Sequence, residues 1–347
     1  MMKALIAMSG GVDSSAAMLL AMEKYGRDNV CGVTLCLSAD KTADEKNCAD
    51  AKAVCDTLGV PHCAVDARKE FEQTVIDYFT REYFLGRTPN PCVVCNRTVK
   101  FGLLYDYAKE NGFDKIVTGH YAVIETIGGT AFLKRAADPK KDQSYVLAML
   151  SQEQLAAADF PLGEMTKPDV RALAASHGFA SASRSDSQDI CFIPDGDYAA
   201  FLKTRCGITD QPGDYTDETG KVLGKHKGQW QYTIGQRKGL GISMGKHVFV
   251  LGKDAEQNRV TLGDEDRLFK TDVAVTGLSF ISGEDRIVPG KTYTAKLRYA
   301  HRPAETTVAI TGTGAVLTFT EPQRAPTPGQ FAVLYDGDTV VCAGVID

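Results

Sequence analysis

The sequence predicts an α/β protein, with an N-terminal doubly wound parallel sheet followed by two small β-rich modules, the last a β-barrel. Three observations carry that expectation. Short apolar runs alternate with helical stretches over about the first 125 residues, the pattern of a parallel sheet covered by helices on both faces. From about residue 205, Gly, Thr and Val become frequent, short alternating runs appear and long helical patterns vanish. Between the first apolar run and the first helical one lies a glycine-rich stretch, Ser9-Gly-Gly-Val-Asp-Ser-Ser15.

Taken in order, Lys3 to Met8 reads as a buried strand and Ala16 to Ala21 as the body of a helix. Val30 to Leu35 is the second strand, Asn47 to Leu58 a helix with Ala, Val and Leu on one face, and Val60 to Val65 the third strand. Asn96 to Lys109 reads as a helix and Lys115 to Thr118 as the fourth strand. A helical region runs from Gln143 to about His177, punctuated by Pro161, Pro168 and Gly178. Ser183 to Asp197 reads as an irregular polar loop carrying Cys191. Beyond it, Phe249 to Leu251, Arg259 to Leu262, Tyr293 to Arg298, Thr307 to Ile310 and Val316 to Phe319 read as strands. The expected domains are 1–200, 201–265 and 266–347, and no internal repeat or low-complexity segment is present.

Composition narrows the class. Charged residues are 24% and hydrophobic ones 44%, ordinary for a soluble globular chain. No run approaches the roughly 18 apolar residues a membrane span needs, and the first apolar run is too short for a signal peptide. A cytoplasmic protein without membrane partners is expected. Its ten cysteines are then reduced, catalytic or metal-bound. The net charge of −5 argues against non-specific nucleic-acid binding by the whole surface, so any RNA contact comes from local basic patches.

A strand, a glycine-rich turn and a helix form the layout of a phosphate-binding loop. Glycines let the backbone approach oxyanions, and the helix N-terminus supplies N–H groups and positive potential. The lysine of a Walker A loop is absent. Asp13 sits instead among hydroxyls, which suits Mg2+ riding on a pyrophosphate. The run matches the signature of ATP pyrophosphatases, the PP-loop superfamily, which split ATP into AMP and pyrophosphate and so adenylate a substrate. The Ser9 loop and Gly119-His-Tyr121 both fall at carboxyl ends of strands, where such sheets bind ligands.

Thr88-Pro-Asn-Pro-Cys92-Val-Val-Cys95-Asn96-Arg97 is the second signal. Two prolines fix a rigid approach to the paired cysteines. A thiol at a helix N-terminus beside Arg97 is expected to have a lowered pKa. Three readings compete. Buried structural cysteines are disfavoured by the polar, Pro-rich setting. Zinc would want a further Cys or His pair at short spacing, which the sequence lacks. Redox or sulfur-transfer chemistry is favoured, with Cys191 as the distant partner. Cysteines 31, 36, 48, 55, 63, 206 and 342 read as structural.

Together these features resemble the tRNA-specific 2-thiouridylases, the MnmA family. The resemblance includes the Ser9 loop, Gly86-Arg-Thr-Pro-Asn-Pro91, Cys95-Asn96, Thr118-Gly-His-Tyr121, Lys141-Asp-Gln-Ser-Tyr145, Ile190-Cys-Phe-Ile193, Tyr232 to Gly241, Leu297-Arg-Tyr299 and Pro328-Gly-Gln330. It implies an adenine-nucleotide-hydrolase-like first domain that uses ATP to adenylate the C2 oxygen of the wobble uridine, U34, in a tRNA anticodon. A persulfide from a cysteine desulfurase or sulfur-relay protein is then carried on Cys191. Cys95 is the nucleophilic partner, and a Cys95–Cys191 disulfide closes the cycle. The resemblance places ATP at Ala7, Met8, Ser9, Gly10, Gly11, Val12, Asp13 and Ser14, with Leu35 and Gly119 beside the adenosine. It places the target base at Asn90, Pro91 and Cys92, and tRNA at His120, Lys141, Asp142, Gln143, Arg298, Tyr299 and Gln330. Tyr299 beside Arg298 suits a splayed base. The stretch from Lys225 to Lys246, with Trp230 and Tyr232, reads as a solvated basic run or a track for the phosphate backbone.

One position departs from the pattern. Better-known members carry an aspartate after the second proline, where this chain has Cys92. A carboxylate serves there as a general acid or base. Three convergent thiols, Cys92, Cys95 and Cys191, would instead suit an iron–sulfur cluster with one open iron. Two readings of other classes stand beside these: a ligase that adenylates a small molecule, and a non-catalytic tRNA-binding protein.

Overall fold

The computed structural model describes residues 1–38, 41–179, 181, 190–283 and 287–347. Strands β1 (Ala4–Ala7), β2 (Val30–Cys36), β3 (His62–Asp66) and β4 (Lys115–Val117) form a parallel sheet with a short fifth strand, Ala158–Asp159. The order is β3-β2-β1-β4-fifth, so the winding reverses between β1 and β4 and opens a crevice at their carboxyl ends. Side chains alternate across β1 as the pleat requires. Leu5 packs with Val33, Phe101, Leu104 and Tyr145 on one face. Ala4 and Ile6 pack with Met18, Ala51 and Cys55 on the other, under helices α1 (Val12–Tyr25) and α2 (Lys41–Leu58). Both faces are therefore dry, as a doubly wound sheet demands.

The four expected strands of the first unit form within about two residues of their expected limits. The helix expected from Asn96 begins earlier, at Pro91, and runs through a widened π-type stretch, Asn96–Leu103, into Leu104–Glu110. The region from Gln143 to His177 splits into Ser144–Leu147, Gln152–Ala157 and Lys167–Ser176, with the fifth strand between the last two. Of the expected loop from Ser183 to Asp197, residues 183–189 lie outside the described residues, and 190–197 carry turns.

Four strands make the central module, in the order Phe249–Asp254, Arg259–Gly263, Gly213–Thr216, Val222–His226. Its core holds Tyr215, Tyr232, Val250, Val260 and Leu262. The last module is a closed six-stranded barrel, sealed where Phe269–Ser279 pairs with Thr339–Ile346. A hairpin of the first unit, Val123–Ile127 with Thr130–Lys134, joins the barrel's edge through Thr339 and Lys134. Arg298 ties the central module to the barrel. Its guanidinium donates to the carbonyls of Ile234 (3.2 Å) and Ala325 (3.1 Å) and to the Thr327 hydroxyl.

Candidate active site

The glycine loop lies in the crevice at the end of β1. Gly10 has φ +71°, and a Cβ there would sit 2.6 Å from Asp50 Cβ on α2, so neither backbone nor space accepts a larger residue. Gly11 is the N-cap of α1, and no side chain caps that end. The hydroxyls of Ser14 and Ser15 both turn back to the Gly11 carbonyl at 3.0 Å, and Ser14 Oγ also accepts from Ser9 N–H at 3.2 Å. An uncapped helix end beside a glycine turn suits an anion. Gly119, just past β4, packs directly on the start of α1, since a Cβ there would meet the Asp13 backbone at 2.8 Å. Leu35 is half-buried near the end of β2, which neighbours β1 on the side away from β4.

Asp13 is not alone. Lys167 Nζ lies 2.8 Å from both of its carboxylate oxygens, and Tyr121 Oη donates to Oδ1 at 2.7 Å. The same ammonium lies 5.7 Å from the centre of the Tyr121 ring. Lys167 is buried, and its place is fixed by a capping box in which Thr166 and Asp169 set the start of its helix. Sequence reasoning missed this lysine. A signal was present in Thr166-Lys-Pro-Asp169, a helix start with a proline in its first turn.

The second half of the site is the loop from Gly86 to Cys95. Asn90 caps the helix Pro91–Cys95, its Oδ1 accepting from Cys92 N–H at 3.1 Å. The barrel clamps the approach: Thr88 N–H donates to Pro328 O at 2.8 Å, and Gln330 Nε2 donates to Thr88 O at 2.9 Å. Cys92 and Cys191 reach solvent, whereas Cys95 is buried. The expected lowering of the thiol pKa is reversed. Burial pushes Cys92 and Cys191 up, and it pushes Cys95 up to about 12. The cation that opposes this at all three thiols is Lys100, not Arg97. A π-type turn brings residue i+5 beneath residue i, which suits Cys95 and Lys100. Arg97 faces solvent.

The three thiols sense one another's charge. Among the described residues, however, no group of three His, Cys, Asp or Glu side chains is placed to hold a metal ion. The oxygen donors around Asp13 fit a magnesium ion arriving with a nucleotide, since a carboxylate and the Ser9 and Ser14 hydroxyls, 3.3 Å apart, line the same loop.

The residues expected to touch tRNA divide into two groups. His120 is buried between Phe101 and Phe160, its Nδ1 2.7 Å from Thr118 Oγ1, and burial keeps its pKa well below the usual imidazole value. Asp142 is buried and accepts from the N–H groups of Ala136 and Ser144. Gln143 Oε1 accepts from Tyr121 N–H at 2.9 Å. These three, with Arg298 and Gln330, hold protein to protein in this structure. Tyr299 is exposed, its ring edge-on to Tyr145 and 5.5 Å from Lys296 Nζ, and Lys141 is half-buried. In the basic run, Trp230 and Tyr232 are core residues, and Lys225 and Lys246 are paired with Asp214 and Asp264. Arg237, Lys238, His247 and Arg324 instead line an open cleft of about 620 Å³.

A doubly wound sheet with an uncapped glycine loop defines a nucleotide-using α/β protein, and residues 2–195 match the tRNA methyl transferase HUP domain. Residues 199–264 match the tRNA methyl transferase PRC-barrel domain, and 271–346 the aminomethyltransferase beta-barrel domain. Curated relatives named tRNA-specific 2-thiouridylase MnmA include those of Symbiobacterium thermophilum (43% identical, covering 99% of this chain and 92% of that one), Geobacter metallireducens (43%, 99% and 96%) and Acidithiobacillus ferrooxidans (44%, 99% and 98%). The chain belongs to the MnmA family of tRNA-specific 2-thiouridylases. Among solved structures, the U34-tRNA thiolase NcsA from Methanococcus maripaludis with its 4Fe-4S cluster is 17% identical over 59% of this chain and 66% of that one, with a TM-score of 0.34, too distant to inform the site.

Proposed function

We propose that this protein replaces the C2 oxygen of the wobble uridine of tRNA with sulfur, at the cost of ATP. One relationship carries the reading, in a chain 43% identical over nearly its full length to a 2-thiouridylase. The nucleotide loop and the thiols flank a single structural path. Gly119 packs on Asp13, His120 follows it, and the positive charge of Lys100 acts on both His120 and the three cysteines. An activated base held between the two halves would meet phosphate chemistry on one side and sulfur on the other.

The chain's own residues supply the parts. The α1 N-terminus and the glycine loop hold the phosphates, and Asp13 with its hydroxyl neighbours would hold magnesium, which neutralises the departing pyrophosphate. Attack of the uridine C2 oxygen on the α-phosphorus forms the adenylate and releases pyrophosphate. The terminal sulfur of a persulfide on Cys191 then bonds to C2. Cys95 attacks the Cys191 sulfur, so the bond from Cys191 to the transferred sulfur breaks, a Cys95–Cys191 disulfide forms and AMP leaves C2. An external dithiol reopens the disulfide. Burial raises both thiols, so each gives up its proton as it attacks, Cys191 on the donor's persulfide and Cys95 on Cys191, with the Lys100 ammonium as the charge that opposes the rise. The cleft lined by Arg237 and Lys238, beside the Arg324–Glu265 ion pair, offers the cationic surface for the tRNA backbone, and exposed Tyr299 the plane for a base.

The test is an anaerobic reaction with tRNA bearing an unmodified wobble uridine, ATP, magnesium and a persulfide donor, read by nucleoside mass spectrometry. Formation of 2-thiouridine without iron is expected. AMP formation independent of tRNA would favour a small-molecule ligase, and no AMP at all a tRNA-binding protein.

A further inference from the structure

A second pair of thiols lies apart from those of the site. Cys36 closes β2 and Cys48 sits on α2, with their Sγ atoms 3.8 Å apart and both residues half-buried. Their elements are already fastened together. Asp44, in the first turn of α2, accepts from the N–H groups of Leu37 and Ser38 at 3.1 Å. Arg68 then bridges Asp44 (2.9 Å) and the Ser38 carbonyl (3.0 Å). Two sulfurs in van der Waals contact, on segments held in register by other bonds, need little backbone movement to join. We propose that Cys36 and Cys48 form a reversible dithiol that a small peroxide oxidises to a disulfide.

The other neighbouring pair of the sheet, Cys31 and Cys63, also has thiols within hydrogen-bonding reach of each other, but its backbone is set less favourably. Cys63 on β3 stands opposite Val33, so Cys31 is two residues out of register with it. That offset across parallel strands separates the α-carbons by about 8 Å, beyond the reach of a disulfide.

The oxidation balances with peroxide as oxidant. Cys36 attacks the peroxide O–O bond, forming a sulfenic acid and releasing hydroxide, which takes up a proton to become water. Cys48 then attacks the Cys36 sulfur, forming the S–S bond and expelling a second water. The two thiols supply the two electrons. Burial and contact with Cys36 push the Cys48 thiol up to about 11, so Cys48 is a poor first nucleophile toward peroxide and attacks second, giving up its proton to the departing hydroxyl. The pair is also close to the nucleotide loop. Asp50, on the same turn of α2 as Cys48, is the residue a Cβ at Gly10 would strike, with Asn47 and Ala51 in ordinary contact beside it.

The test treats the fully reduced protein with a few equivalents of hydrogen peroxide, alkylates the remaining thiols and maps tryptic peptides. The expected product links peptide 28–41 to peptide 47–52, is absent from Cys36→Ser and Cys48→Ser, and disappears after dithiothreitol. Peptide 28–41 also carries Cys31, so fragmentation assigns the bond, and a Cys31–Cys63 link would appear as 28–41 joined to 53–68. The proposal falls if wild-type Cys36 and Cys48 are recovered alkylated while other thiols oxidise, or if they pass to sulfinic acid without cross-linking. Because the wild-type map decides the matter, a poorly folding variant would not obscure it.

Discussion

Lys167 Nζ lies 2.8 Å from both carboxylate oxygens of Asp13, across 154 residues of sequence. The ammonium therefore occupies the face of Asp13 proposed for a magnesium ion, and a magnesium–pyrophosphate would have to displace it or share it. Asp13 is partly solvated, its side chain 34% exposed against 10% for Lys167. Replacing Asp13 thus strands the lysine more severely than the reverse.

Asp13→Asn is expected to remove AMP formation at least a hundredfold, because an amide neither neutralises magnesium nor pairs with the lysine. It should also lower stability by about 1–3 kcal/mol through the unpaired Lys167 ammonium. Lys167→Met should cost less stability and leave a measurable AMP rate. Quench-flow AMP assays with thermal melts of both variants check this, and an Asp13→Asn enzyme with the wild-type AMP rate would remove the loop from the chemistry.

Much of this arrangement was legible in the sequence, and the reason is locality. β1, the glycine loop and α1 lie within 25 residues, so their strand, turn and helix signals reinforce one another. The Asp13–Lys167 pair has no such signal, since the contact exists only after the sheet is wound. The fifth strand, Ala158–Asp159, is too short to show a period. The hairpin Val123–Ile127 with Thr130–Lys134 was missed although Gly128-Gly129, both at positive φ, is a typical two-residue hairpin turn. Lys100 was passed over for Arg97 because ordinary helical spacing does not anticipate a π-type stretch.

Gln330 separates two roles by kinetics. Its side chain holds the carbonyls of Thr88 and Pro89, at 2.9 and 3.4 Å, and so positions the loop that carries Cys92. Gln330→Ala should cost about 1 kcal/mol of stability and lower kcat for thiolation severalfold with little change in KM for tRNA. A raised KM with unchanged kcat would show that Gln330 binds tRNA directly instead.

The thiols of the site should react slowly in the free enzyme. Their pKa values are raised by burial and held down only in part by Lys100. Alkylation of Cys191 and Cys92 by iodoacetamide, followed by peptide mass spectrometry, should be slow at pH 7 and climb past pH 9. Lys100→Gln should shift that climb to still higher pH, because the opposing positive charge is gone. A midpoint near neutrality would show that these thiols are activated without substrate.

Lys253 gives the fold a pH dependence of opposite sign to that of the thiols. Its ammonium donates to Tyr232 O at 2.8 Å and lies 5.8 Å from the centre of the Tyr83 ring, joining the central module to the first unit. Burial pushes its pKa down to about 7. Between pH 7 and about 10.4, the ordinary lysine value, the unfolded chain holds a proton that the folded protein has released, so stability rises with pH across that window. Above pH 9 the raised Cys95 works against this, because the unfolded chain loses a thiol proton that the folded one keeps. Cys63, lowered to about 6 chiefly by its hydrogen bond with Cys31, adds a rise of the same sign over pH 6 to 9, so the Lys253 contribution is the difference in slope between wild type and variant over pH 7 to 9. Over that interval, urea unfolding of the wild type should show a gain about 1–2 kcal/mol larger than that of Lys253→Met, discounted for the partial exposure of the side chain. Lys253→Met should lose this part of the slope and be the more stable protein at pH 7, since a methionine has no charge to desolvate. Equal slopes in the two proteins would mean that Lys253 keeps its proton throughout, held by the Tyr232 carbonyl and the Tyr83 ring.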